Sequence, residues 1–131
     1  MAQDYVGPAD GKHFLPQSEI LIRLTKAFGI HDVDAMKGQA SADTMIAKLE
    51  DLKAPSEIVE SYSNRRQHAV NCYLSDDGSE NGYLSFTLWP DEPIFIGYHS
   101  AHHEAAARPL LERLASILGY VIQSQEDLDE Q

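Results

Sequence analysis

Apolar and polar positions along the chain change period twice, and those changes outline the elements. From Ser18 to Phe28, Ile20, Leu21, Leu24, Ala27 and Phe28 recur at helical spacing. Ser18 is the N-cap candidate, and Gly29 stands where a helix ends. Asp32 to Lys37, closed by Gly38, reads as one short helical turn. A second helix follows over Ala42–Lys53, capped by Ser41, with Ala42, Met45, Ile46, Leu49 and Leu52 on its stripe. Pro55 stops it and opens a further helix to about Ser63, with Ile58, Val59 and Tyr62 as its apolar side.

The period then drops to two. Val70, Cys72 and Leu74 alternate with polar neighbours over His68–Leu74, and Leu84, Phe86 and Leu88 do so over Tyr83–Trp89. Ile94–Tyr98 reads as a third strand. Opposed residues share a face, so the apolar faces match only in a register with Val70 against Leu88, Cys72 against Phe86 and Leu74 against Leu84. That register excludes a two-residue Asn81-Gly82 hairpin and leaves Ser75–Gly82 as a wider acidic loop. The same rule joins the second and third strands through Trp89–Pro93, with Leu88 opposite Ile94 and Gly97 facing Ser85.

A last helix spans Ala101–Leu118 between a Ser100 cap and Gly119. Pro109 either kinks it or starts a second helix. Tyr120-Val121-Ile122 reads as a closing strand. Residues 1–16 form an irregular N-terminal arm, and 126–131 a frayed acidic tail. The expected fold is a single α+β, two-layer domain over residues 1–131: N-terminal helices, a three-strand antiparallel meander, a C-terminal helix and a closing strand.

Charge narrows the partners. Ten Lys+Arg against 21 Asp+Glu give −11 over 131 residues. Nucleic-acid backbones and anionic membranes are disfavoured, because binding them needs Lys and Arg in place of counterions. A basic protein is the favoured partner, and solubility alone is the plainer account of the charge. With one cysteine no intrachain disulfide forms. Cys72 lies on the apolar face and reads as core. No secretory signal or membrane span is visible, so the cytoplasm is the expected location.

Two groups carry candidate chemistry. The first is His99, His102, His103 and Glu104, at the corner between the third strand and the last helix. They are a metal or acid–base candidate, set against an ordinary polar first turn. The sequence implies no cofactor, and Asp76, Asp77 and Glu80 lack calcium-loop spacing. The second is the polar-side face of the meander: Asn71, Tyr73, Ser85, Thr87, Phe95 and His99, with Tyr83 and Trp89 at its ends. Aromatic, hydroxyl and amide groups without Lys or Glu resemble a recognition patch. Coverage by a helix and a homodimer across this face are the competing readings. The leading expectation is a non-enzymatic interaction module that binds, and in some settings neutralises, a more basic protein. Immunity proteins, antitoxins and secretion chaperones share this physical profile. The alternative is a small-molecule or metal site built on residues 99–104.

Overall fold

The computed structural model describes residues 3–124. Its elements are β1 (Gln3–Gly7), α1 (Gln17–Ala27), β2 (Ile30–Asp34), α2 (Ala35–Asp51), α3 (Ser56–Arg65), β3 (Val70–Ser75), β4 (Tyr83–Leu88), β5 (Ile94–Gly97), α4 (Ala101–Leu118) and β6 (Val121–Ser124). A 3-10 turn, Arg66–His68, links α3 to β3. The fold is α+β, with two three-stranded antiparallel sheets in the orders β2-β3-β4 and β5-β1-β6. Among the described residues no helix is long and apolar enough to cross a membrane. The acidic tail at 126–131 lies outside the described residues.

The β3–β4 ladder has the register that alternation requires: Val70 opposite Leu88, Cys72 opposite Phe86 and Leu74 opposite Leu84. The wide loop between them is held by its own polar groups. Ser75 Oγ accepts from Gly78 N at 2.9 Å and donates to the Gly82 carbonyl at 2.8 Å. Asp76 forms a two-pronged pair with Arg113 of α4 at 2.7 and 2.8 Å.

Helix α4 is one element. Ser100 Oγ accepts from His103 N at 3.1 Å, and Gly119 ends the helix at φ 66°, where a side chain would be strained. Pro109 sits inside it without ending it. Pro109 and Ala105, whose carbonyl loses its donor, both lie on the exposed side of the helix, so the freed carbonyl is not sealed in the core. Leu110, Leu111, Leu114 and Leu118 on the opposite side stay buried.

Ser18 lies inside α1 rather than capping it, since Pro16 is the N-cap, and the arrangement differs from expectation in four larger ways. Residues 3–7 of the presumed arm are a strand, and β1 is the central strand of its sheet. Its core-facing positions are Asp4 and Val6, so an acid masks the alternation. Buried Asp4 is satisfied by the Tyr98 hydroxyl, which donates to it at 2.7 Å, with Arg108 Nη1 3.6 Å away. Secondly, β5 does not extend a meander. It pairs with β1, Val6 opposite Ile94 and Gln3 opposite Gly97, so neither Leu88–Ile94 nor Gly97–Ser85 forms. Pro90 and Pro93 in the connection have no N–H to continue the β4 ladder.

The third difference is at residues 30–34, which form β2 rather than leading into a helical turn. Fourthly, α2 begins at Ala35, capped by Asp34 Oδ1 accepting from Lys37 N at 2.9 Å, and not at Ser41. Gly38 does not close a turn. It is the first position of the stripe Gly38, Ala42, Met45, Leu49 and Leu52. A Cβ there would stand 2.4 Å from Val70 Cα, so the missing side chain lets α2 lie directly on the β3 backbone.

One core lies beneath both sheets. Val6, Cys72, Leu74, Leu84, Phe86, Ile94 and Ile96 meet Ile20, Leu24 and Phe28 of α1 and the leucines of α4. Cys72 is fully buried in it, and burial pushes its thiol up to about 12. The opposite side of the sheets carries α2 and α3, a partial third layer on the expected two. Only Ala42, Ala69 and Trp89 are buried together there, with Met45 and Tyr62 against them.

Candidate functional site

Small residues hold the start of α2 tight to β3, and its later turns stand off the sheets. The result is an open cleft of about 970 Å³ between the α2–α3 pair and the strands. Alternation decides what faces it. Tyr5 on β1, Ser85 and Thr87 on β4, and Phe95 on β5 project away from the core into this space, with Asn71 from β3 in its floor. Met45, Leu49 and Leu52 form the opposite wall. At the rim, Leu52 is 70% exposed and Phe95 43% exposed.

The lining is aromatic and almost uncharged. Tyr5, Tyr62, Trp89 and Phe95 contribute four rings, while Lys48 and Glu92 are the charged members; Phe86 and Tyr98 border the cleft but belong to the core. Glu92 is already paired with Arg65 at 2.9 Å. Arg65 also donates to the Pro90 carbonyl at 2.8 Å and lies over the Tyr62 ring, 4.8 Å from its centroid. Tyr62 and Trp89 meet edge-on at 5.0 Å. Burial, reinforced by Glu92, raises the Tyr62 phenol, which therefore stays protonated. Tyr5 and Phe95, far apart in sequence, meet at 5.3 Å where β1 pairs with β5.

Of the residues expected on the recognition face, Asn71, Ser85, Thr87, Trp89, Phe95 and His99 line this cleft. Tyr73 and Tyr83 stand beside it, stacked on each other at 5.4 Å. The face is partly covered, as the competing reading held, but α2 covers it as a wall rather than a plug. Sequence reasoning missed the wall itself and Tyr5. The helical stripe of Ala42, Met45, Leu49 and Leu52 was legible; that it faces these strands was not, because the contact that sets it there runs through Gly38, which has no side chain to signal it.

The histidine corner is packed rather than open. His103 is 2% exposed and stacks on Tyr83 at 4.4 Å. Its Nδ1 accepts from the His99 backbone N–H at 3.1 Å, so Nε2 carries the proton and donates to the Tyr83 carbonyl at 3.0 Å. Both ring nitrogens are thereby occupied by protein. His99 is exposed and stacks on His103 at 5.3 Å. His102 is exposed, and Glu104 is half-buried. Among the described residues no three His, Cys, Asp or Glu side chains are grouped to hold a metal ion. Arg65 and Arg66, adjacent in sequence, are likewise engaged: Arg66 makes a two-pronged pair with Asp43, and Arg65 binds Glu92.

Comparisons with protein-family models, with curated proteins and with solved structures find no match to this chain.

Proposed function

We propose that this protein is a binding module whose cleft receives an apolar segment of a more basic protein partner. The observation that carries the reading is the cleft: the rings of Tyr5, Tyr62, Trp89 and Phe95 and the exposed apolar edge of Leu52, open to one side. Aromatic anchors in a dry depression are where binding energy concentrates at interfaces. The net charge of −11 supplies the field that draws a basic partner toward it.

The test is co-purification from the native host with wild-type protein and the rim variants Phe95→Asp and Leu52→Asp. A stoichiometric basic partner that dissociates in high salt, and is lost from both variants while their melting is unchanged, is the expected result. A partner retained by both variants would place the contact elsewhere and end this reading. A second copy of the chain as the occupant would show as a dimer in sedimentation, abolished by the same substitutions.

One observation favours a second reading. A volume of about 970 Å³ is at the upper end of small-molecule sites. In that case the cleft, rather than the cluster at residues 99–104, holds the ligand, and His99 is the one histidine that reaches it. Native mass spectrometry of the purified protein separates the two, since only a small ligand adds a small, discrete mass.

A further inference from the structure

The floor of the cleft contains a polar group with nothing to bind. Asn71 is 8% exposed, yet among the described residues its side-chain amide makes no hydrogen bond. His31 Nε2 is the wholly enclosed unpartnered side-chain atom among the described residues, so the amide N and O of Asn71 reach the open space of the cleft and are free to pair with what enters it. The carboxamide lines the cleft, so the unmet groups face the space rather than the core. Across the ladder its neighbour is Thr87, and Ser85 lies two residues further along the same face. Neither of those hydroxyls has a side-chain hydrogen bond either. The floor is thus a short polar row under aromatic walls.

A carboxamide offers one acceptor and two donors in a plane. Its natural complement is another amide, which presents a donor and an acceptor at matching spacing. A peptide backbone supplies such groups at every residue while its side chains fill apolar pockets to either side. Metal ions and isolated carboxylates match this row poorly, since a carboxylate would leave the acceptor oxygen of Asn71 unmet.

We propose that Asn71 reads the backbone of an extended apolar peptide segment lying in the cleft, paired through one peptide N–H and one C=O, and that the segment is flanked by basic residues. This rests on the reading of the cleft as a partner-binding site and names what the partner presents there. The basic flanks follow from charge complementarity. The lining is close to neutral, with Lys48 beside a Glu92 already paired to Arg65, so the preference for basic flanks rests on the net charge of −11 of the chain around it.

The experiment is an NMR titration with the capped peptide acetyl-Lys-Leu-Phe-Leu-Lys-amide. Three versions N-methylated in turn at its central nitrogens and a version with Glu at both ends complete the set. The basic peptide should shift the amide signals of Asn71, Ser85, Thr87 and Phe95. Asn71→Leu and Asn71→Thr should each weaken it roughly tenfold, the scale of one unmade buried hydrogen bond. One N-methylated peptide should lose the same factor on the wild type and nothing further on Asn71→Leu, the mark of a shared contact. The Glu-ended peptide should bind more weakly than the Lys-ended one at low salt. If both Asn71 variants bind as wild type while Phe95→Asp abolishes binding, the Asn71 inference falls and the cleft reading stands. If Phe95→Asp also binds normally, or no peptide shifts cleft signals at millimolar concentration, both fall. Equal affinity for Glu- and Lys-ended peptides overturns the basic flanks.

Discussion

The two faces of the sheets are filled by helices of different kinds. On one face, α1 and α4 set large aliphatic side chains into the strands, and Leu24, Leu111 and Leu114 are wholly buried. On the other, α2 touches the sheet through Gly38 and Ala42, and α3 buries no residue of its own. The second layer is held instead by polar pins, Arg66 to Asp43 and Arg65 to Glu92 and the Pro90 carbonyl. The first face spends its apolar surface on stability. The second keeps much of its apolar surface available, and that is what a binding site requires.

The sharpest way to break this contrast is to truncate one leucine on each face. Leu111→Ala should cost about 2–5 kcal/mol in denaturant unfolding. Leu49→Ala, on the cleft wall, should cost under about 1 kcal/mol, since its side chain already meets open space. Similar losses at both sites would show that the two faces are equally packed. Gly38→Ala should be next in size. Its new methyl group meets the β3 backbone, so α2 must lift, at about 1–3 kcal/mol. A crystal structure of the variant should show a wider cleft with α1 and α4 unmoved.

Arg65→Met tests the polar pins. It should cost roughly 1 kcal/mol and speed hydrogen exchange in α3 while α4 amides keep their wild-type protection. Uniform acceleration in both helices would mean that the layers unfold as one unit.

The smallest effect is pH dependence on the packed face. Burial holds His31 below its usual value of 6.5, and its Nε2 is buried without a partner. The unfolded chain therefore takes up this proton first, and stability declines as pH falls below 6.5. Arg113 holds Asp76 low in turn, so that pair helps above the ordinary carboxylate range and is lost on further acidification. His31→Asn should flatten the denaturant midpoint between about pH 7 and 5. An unchanged slope would mean the histidine is solvated in both states.

How much of this was legible in the sequence follows the same division. The packed face is built of large apolar residues at clean spacing, so α1, α4 and the β3–β4 register could all be read from the chain. The open face depends on residues whose role lies in what they lack. Gly38 reads as a helix terminator until β3 is placed beneath it. Asp4 reads as a loop acid until Tyr98 reaches it from the far end of β5. The strand side of the cleft was recognisable from alternation through Ser85, Thr87 and Phe95. Its wall was not, because no local pattern reports how far a helix stands from a sheet. That Asn71 goes unpaired depends on the same distance.

The position of β1 has a consequence for the order of events at the ribosome. It precedes the other strands of both sheets in the chain and is the middle strand of its own, yet its partners are residues 94–97 and 121–124. At about 5–20 residues per second, seconds pass between its synthesis and that of its second partner. Until residues 94–97 emerge both of its edges are unpaired, and one edge stays so until residues 121–124 follow. The β2-β3-β4 sheet, closed by nearer contacts, is available to fold first, and the second sheet then assembles around a strand that has waited for it.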